Sequence, residues 1–168
     1  MDAAGMTPAQ NYLDRSYTCA NIQYELRRYA MGTRSMIGMV EDDGTVTAIY
    51  CHWDGHPKHN GLLLRKHWYD AYLIDHLMHL GNLSYLGKEI GECQDFDQPT
   101  DLNWCLAYGR DRNEPNQTAT SYYSRDEYVS NAAGDHCADY IYLWEKDMWR
   151  CWNYDGVHIN LNDMNVEA

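Results

Sequence analysis

Three histidines and an aspartate lie within eight residues, in the segment HWDGHPKH. These residues are His52, Asp54, His56 and His59, and imidazole and carboxylate groups are common ligands of zinc and other transition metals. Their spacing matches no standard metal site, so we assign no metal and keep the four only as candidate ligands. A second interpretation makes His52 a catalytic acid or base that Asp54 orients. A third makes Asp54 the acceptor of an Asx-turn, with Gly55 at positive φ.

Three arginines at predicted strand ends stand out, because the chain has 13 lysines and arginines against 25 acidic residues. A guanidinium is a planar fork of donors that suits phosphate or carboxylate. If the fold brings Arg34 and Arg110 to His52, the three form a local anion pocket. The alternative is that segment 110–112 is a solvated loop with ion pairs to neighbours such as Glu114. The candidate ligand-binding residues are Arg34, His52, Trp53, Asp54, Tyr108, Arg110 and Arg112.

Nucleophilic chemistry has little support in the sequence. Cys51 precedes His52, but adjacent residues of a strand point to opposite faces, so the two cannot pair. No GxSxG, Walker or GxGxxG motif occurs, and the sequence leaves the cofactor unknown. The six cysteines form no C-x-x-C pair, and we expect Cys51, Cys105 and Cys151 to be reduced core residues.

Aromatic residues alternate in a predicted hairpin near the end of the chain. Tyr140, Tyr142 and Trp144 share one face of its first strand, and Trp149 and Trp152 lie on the return strand. Such a row could stack a base or receive a protein partner. We favour the other interpretation, in which these rings pack across strands in the core.

The formal charge of −12 argues against a general nucleic-acid binder and against a protein held to anionic lipid by charge. No apolar run approaches the ~20 residues that a membrane span needs. No signal-peptide pattern opens the chain. We therefore expect a soluble protein of the cytoplasm, and composition leaves its oligomeric state open.

The predicted element order is β-β-α-α-β-α-β-β. A hairpin over 33–53 turns at Asp43-Gly44, and a second hairpin over 139–153 turns at Lys146-Asp147. Between them we predict a loop at 54–61, two helices that end at Gly81, a strand at 104–109, a polar loop and a helix over 125–134. A last short strand follows near 157–161. Hairpins at both ends with two to three helices between them predict an α+β domain with a mainly antiparallel sheet.

Residues 1–30 differ in pattern from the rest, and strand periodicity begins just after Met31. We predict an N-terminal extension over 1–30, loosely attached or helical, a single domain over 31–161 and a tail over 162–168.

The segment MGTRSMIGMVEDDGTVTAIYCHWDGHPKHNG resembles a family of small proteins from bacteriophages and prophages. The shared motifs are MGTRS-x-I, IYCHWDG, an LSYLGKEIG segment and a YGRDR segment, and the resemblance spans about residues 31–152. At His56 relatives often have an aromatic residue, which weakens a role that needs an imidazole there. The family has no established activity, so the resemblance implies a mobile-element origin and expression in a bacterial host rather than a mechanism.

Three functional hypotheses follow. The first is a phage accessory protein that acts on host physiology or defence by binding a small phosphorylated, nucleotide-like ligand or a host protein. The second is a small hydrolase or phosphodiesterase that uses His52 and Asp54, with Arg34 or Arg110 on the phosphate. The third is an acidic interaction protein that imitates nucleic acid.

Overall fold

The computed structural model describes residues 32–164 and shows an α+β fold. One mixed, mostly antiparallel sheet contains β1 (Ser35–Val40), β2 (Val46–Cys51), β3 (Leu83–Tyr85), β4 (Leu106–Ala107), β5 (Thr120–Tyr122), β6 (Tyr140–Glu145), β7 (Met148–Asn153) and β8 (His158–Ile159). The strand order is β4-β3-β2-β1-β6-β7-β8, and β5 also pairs with β2. The predicted fold class is confirmed.

The helices of the described residues are α1 (Leu62–His67), α2 (Ala71–Leu80), α3 (Tyr108–Arg112) and α4 (Arg125–Gly134), with a π-helix at Pro57–Gly61 and a 3₁₀ turn at Leu161–Asp163. Gly81 ends α2 at a φ of +84°, and Ser124 begins α4 by accepting a hydrogen bond from the Glu127 N–H at 3.2 Å. Both helix ends follow the predicted capping residues.

Both predicted hairpins are present. In the first, the Asp43 carboxylate accepts from the Thr45 N–H at 2.9 Å, and Gly44 has a φ of +86°. In the second, Lys146 and Asp147 have φ values of +53° and +58°, which suits the right-handed twist of a two-residue turn. The hairpins are joined at the centre of the sheet, where β1 and β6 pair in parallel.

The core covers both faces of the sheet. One face packs against α1 and α2 and contains Ile37, Ile49, Cys51, Leu64, Trp68, Ile74, Leu77, Cys105, Tyr142, Trp144 and Cys151. The other packs against α4 and contains Met36, Val46, Ala48, Tyr128, Ala132, Ile141, Leu143 and Trp152. Cys51, Cys105 and Cys151 are buried and free, as predicted.

The aromatic hairpin belongs to this core. Tyr142 is fully buried, and its hydroxyl donates to the Gly55 carbonyl at 2.7 Å. Trp144 and Trp149 meet across the two strands with ring centroids 5.5 Å apart. The core-packing interpretation is therefore confirmed, and a stacking platform built on this row is wrong because the rings of Tyr142 and Trp144 are buried.

Four local predictions need correction. The loop at 54–61 contains the π-helix, and the polar loop after the strand at 104–109 begins with α3. Strands β3 and β5 were not expected, and the predicted strand at 104–109 is reduced to β4, with an isolated bridge between Glu89 and Trp104. The predicted extension over 1–30 lies outside the described residues.

Candidate functional site

The end of β2 is fixed to the segment that contains β3. The Tyr50 N–H donates to the Asn82 side-chain carbonyl at 2.9 Å, and the His52 N–H donates to the Leu83 carbonyl at 3.0 Å. The Trp53 N–H then donates to the Ser84 carbonyl at 2.9 Å. Residues 50 to 53 therefore have a defined backbone, and alternation along the strand places the Tyr50 and His52 side chains on one face.

Tyr50 and His52 form a hydrogen-bonded pair. The phenol oxygen lies 2.9 Å from Nδ1 of the imidazole. Burial raises the pKa of Tyr50 to about 12, so the phenol keeps its proton and donates. Burial and the nearby Arg34 charge lower the pKa of His52, so the ring is neutral at pH 7. With Nδ1 accepting from Tyr50, the ring proton lies on Nε2, which becomes a donor.

Arg34 lies just before β1, where its backbone is fixed by Asp139. The Arg34 N–H donates to the Asp139 carboxylate at 2.8 Å, and the Arg34 carbonyl accepts from the Asp139 N–H at 2.9 Å. The guanidinium is close enough to lower the pKa of His52 and to oppose the rise in the pKa of Tyr50. The chain therefore places a permanent cation beside a neutral N–H donor.

Two aromatic residues border this pair. Trp53 is 40% exposed, and its ring meets the His52 ring edge-on with centroids 4.7 Å apart. Gly32 permits that placement, because a Cβ there would lie 3.1 Å from the indole. Tyr108 is half-buried and near enough to Tyr50 to contribute to the raised pKa of that phenol, and burial also raises the pKa of Tyr108, against a hydrogen bond with Ser84. We call Arg34, Tyr50, His52, Trp53 and Tyr108 the Arg34 corner.

Asp54 does not belong to this corner. It has a φ of +59°, so the left-handed residue of the turn is Asp54 and not the predicted Gly55. Gly55 is required for another reason, since a Cβ there would lie 2.7 Å from the Arg34 backbone. The Asp54 side chain lines a separate cavity with His59 and Lys88. Within residues 32–164 no hydrogen bond joins Asp54 to His52, so the predicted catalytic pair is not formed.

Arg110 has a structural role. Its guanidinium donates to the Asp111 carboxylate at 2.8 Å, to the Ile90 carbonyl at 2.9 Å, to the Gly91 carbonyl at 3.1 Å and to the Cys105 carbonyl at 2.6 Å. These acceptors use the donors that an anion would need, so Arg110 is not available to bind one, and the expectation of one recess containing Arg34 and Arg110 stays a prediction.

Arg112 also lies outside the corner. It forms an ion pair with Glu114 at 3.1 Å, the partner that the solvated-loop interpretation predicted. Its guanidinium also lies 5.0 Å from the centroid of the Phe96 ring. These two contacts give Arg112 a role in holding its own loop.

The predicted metal-ligand candidates are directed to different partners. Nδ1 of His52 accepts from Tyr50, Nδ1 of His56 accepts from the Lys58 N–H at 3.1 Å, and Nδ1 of His59 lies 3.0 Å from the Asn60 amide oxygen. Across residues 32–164, no group of three His, Cys, Asp or Glu side chains is arranged to hold a metal ion.

Sequence reasoning missed Tyr50 as a site residue. The signal was its position two residues before His52 on one strand face, which brings the phenol within reach of the ring. Asn82 and Ser84 had no comparable signal, because their contacts with β2 depend on the pairing of β2 with β3.

No protein-family model, no curated protein and no solved structure matches this chain. The resemblance to phage proteins therefore stays a prediction. Among the described helices, none has both the length and the apolar character to cross a bilayer.

Proposed function

We propose that this protein binds a small phosphorylated, nucleotide-like ligand at the Arg34 corner. The observation that carries the proposal is the Tyr50–His52 hydrogen bond beside Arg34. The pair leaves His52 Nε2 as an N–H donor, and the Arg34 guanidinium adds a permanent positive charge near both rings. A phosphate accepts hydrogen bonds and is negatively charged, so it matches both groups.

The aromatic border favours a ligand that also has a ring. Trp53 is partly exposed and Tyr108 is half-buried, so each offers ring surface next to the donors. Base stacking on an aromatic side chain contributes about 1–3 kcal/mol per base and tolerates different bases. A mononucleotide or cyclic nucleotide fits this combination better than a polymer, because the net charge of −12 repels a polyanion.

The biological setting in this proposal is a mobile element. The MGTRS and IYCHWDG motifs support a bacteriophage or prophage origin, with action on host physiology or defence in the bacterial cytoplasm. A host protein is the other occupant that the corner could receive. A hydrolase has less support, because a phenol and not a carboxylate holds Nδ1 of His52.

A thermal-shift and calorimetry screen against nucleotides and cyclic nucleotides tests the proposal. We expect one of them to raise the Tm of the full chain. Arg34→Met should weaken that ligand roughly tenfold or more, because a charge-assisted hydrogen bond is lost. Arg125→Met is the matched control, since it removes an exposed guanidinium that pairs with Glu145 and is not part of the corner. No shift with any nucleotide, or equal weakening in both variants, would overturn the proposal, and capture of a host protein that depends on Arg34 would replace it.

A further inference from the structure

We propose that a second cavity, lined by Asp54, His59 and Lys88, binds a small zwitterion, a free α-amino acid with an aliphatic side chain. The cavity has a volume of about 290 Å³. This is near the lower end of small-molecule sites, about 300–1,000 Å³, so it suits a metabolite of amino-acid size. The proposal concerns a different site from the Arg34 corner and does not depend on it.

The cavity has an acid and a base on its wall. Within residues 32–164, neither the Asp54 carboxylate nor the Lys88 ammonium forms an ion pair or hydrogen bond with another side chain, and the two do not pair with each other. Because the two opposite charges line the same cavity without pairing, a ligand that has both charges can pair with each of them. The Asp54 carboxylate would take the ammonium of the ligand and Lys88 its carboxylate.

The fold holds the backbone at Asp54, on the acidic side of the cavity, in place. Asp54 is in the left-handed conformation, and its carbonyl accepts from the Asn60 N–H at 3.3 Å. The next residue, Gly55, packs directly on the Arg34 backbone and donates its N–H to the Thr33 carbonyl at 2.8 Å. The carboxylate therefore projects from a backbone that is anchored on both sides, a form of pre-organisation that lowers the entropic cost of binding.

A buried asparagine determines the tautomer of His59. The Asn60 NH₂ group lies within 3.3–3.5 Å of Ser35 Oγ, Cys51 Sγ and the Trp53 carbonyl, so its amide oxygen is the atom that faces His59 Nδ1. In the neutral ring Nδ1 must then carry the proton and donate to this oxygen. Nε2 keeps its lone pair and can accept from an ammonium, so His59 adds a second acceptor beside Asp54.

The backbone at Gly87 and Lys88, on the basic side of the cavity, is equally fixed. Gly87 accepts from the Trp68 indole N–H at 3.0 Å and lies so close to the next segment that a Cβ would be 2.3 Å from the Asn103 carbonyl oxygen. The Lys88 N–H donates to that same carbonyl at 2.6 Å. Leu63, Tyr85 and Leu86 line the same cavity and supply apolar surface. An aliphatic side chain would lie on this surface and gain from leaving water.

The two charged groups of the cavity favour a zwitterion over an anion at this site. A free anion would pair with Lys88 but would be repelled by the Asp54 carboxylate, whereas a zwitterion offers each of them an opposite charge. A free diamine would leave Lys88 facing a like charge. The chemistry of the wall therefore indicates one ammonium and one carboxylate on a short apolar scaffold.

Calorimetry with leucine, leucinamide and N-acetyl-leucine at a pH of about 7, where an ordinary imidazole is mostly neutral and the amine of leucinamide is mostly charged, tests the proposal on the full chain. Leucine should bind, and leucinamide and N-acetyl-leucine should each bind at least about tenfold more weakly because each lacks one charge. Asp54→Asn, which tolerates the left-handed backbone, and Lys88→Met should weaken leucine to a similar extent. The controls are Asp42→Asn and Lys66→Met, which remove exposed charges outside the cavity.

Arg34→Met should leave leucine binding unchanged, which separates this result from the test of the Arg34 corner. The Tm of each variant without ligand shows that it is folded. The proposal is overturned if folded wild-type protein does not bind leucine at millimolar concentrations. It is also overturned if both analogues bind as well as leucine, because the cavity would then recognise apolar surface alone.

Discussion

At the scale of single residues, the orientation of His52 depends on a phenol. The Tyr50 hydroxyl donates to Nδ1 at 2.9 Å, and burial keeps that hydroxyl protonated by raising its pKa to about 12. The imidazole is therefore held as the Nε2–H tautomer without an acidic partner. An acidic partner would raise the pKa of the ring, whereas burial and Arg34 lower it.

Replacing Tyr50 tests this arrangement. In Tyr50→Phe the donor to Nδ1 is lost, and we expect His52 to change from the Nε2–H tautomer to a mixture of both. Nitrogen-15 NMR of the imidazoles distinguishes the two forms. Tyr72→Phe is the matched control, because the Tyr72 ring centroid lies 4.2 Å from that of His76 but the His76 Nδ1–H donates to the Tyr72 main-chain carbonyl, so the phenol does not set the tautomer of His76. Unchanged His52 signals in Tyr50→Phe would contradict the assignment.

Residue types in the sequence predicted part of this site and misplaced the rest. Arg34 and His52 could be predicted because both flank the first hairpin, whose register follows from its turn. Arg110 could not, because a polar RDR segment looks solvated, and only tertiary structure shows four protein acceptors around its guanidinium. Burial alone would raise the pKa of Asp111. Hydrogen bonds from Arg110 and from the Ala107 and Gln94 N–H groups outweigh burial, so the pKa is lowered and the ion pair persists at neutral pH.

At the scale of elements, capping residues were the most reliable signals. Ser124 and Glu127 begin α4, where the Glu127 carboxylate also accepts from the Tyr123 N–H at 2.6 Å. Gly81 ends α2 because its φ of +84° is unfavourable for other residues. The π-helix at Pro57–Gly61 had no such signal, since Pro, Asn and Gly in its sequence are typical of a loop. Its conformation depends on Asn60, which tertiary contacts bury.

Two glycine substitutions compare a constrained helix end with an open one. Gly81→Ala should lower the free energy of unfolding by about 2 kcal/mol or more, because its φ of 84° with a ψ of −160° is a conformation that essentially only glycine adopts and because a Cβ would lie 2.0 Å from the Gln117 carbonyl oxygen. Gly134→Ala, at the end of α4, should raise it by up to about 1 kcal/mol, because a Cβ there has no neighbour within 4 Å and alanine has the higher helix propensity. Urea denaturation measures both. Equal effects would contradict the role of Gly81.

At the scale of the whole molecule, the sheet joins two hairpins that are distant in sequence. β1 pairs with β6 in parallel from Ser35 and Tyr140 to Met39 and Trp144. Local periodicity predicted each hairpin, but the contact between them is non-local and leaves no pattern in either segment. For the same reason β3 and β5 were missed, since each has three residues and pairs with β2 at a different end. Tyr128 connects the layers by donating to the Tyr142 carbonyl at 2.9 Å.

This architecture predicts an order of amide exchange. Ile37, Ile49 and Ile141 are fully buried on central strands, so their amides should exchange only through global unfolding. β8 pairs with β7 through two residue pairs at the sheet edge, so the His158 and Ile159 amides should exchange sooner through local opening. Hydrogen exchange followed by NMR measures the difference. If the Ile141 amide instead exchanged well before that of Ile49, the hairpins would open separately, and the parallel β1–β6 pairing would not couple them into one cooperative unit.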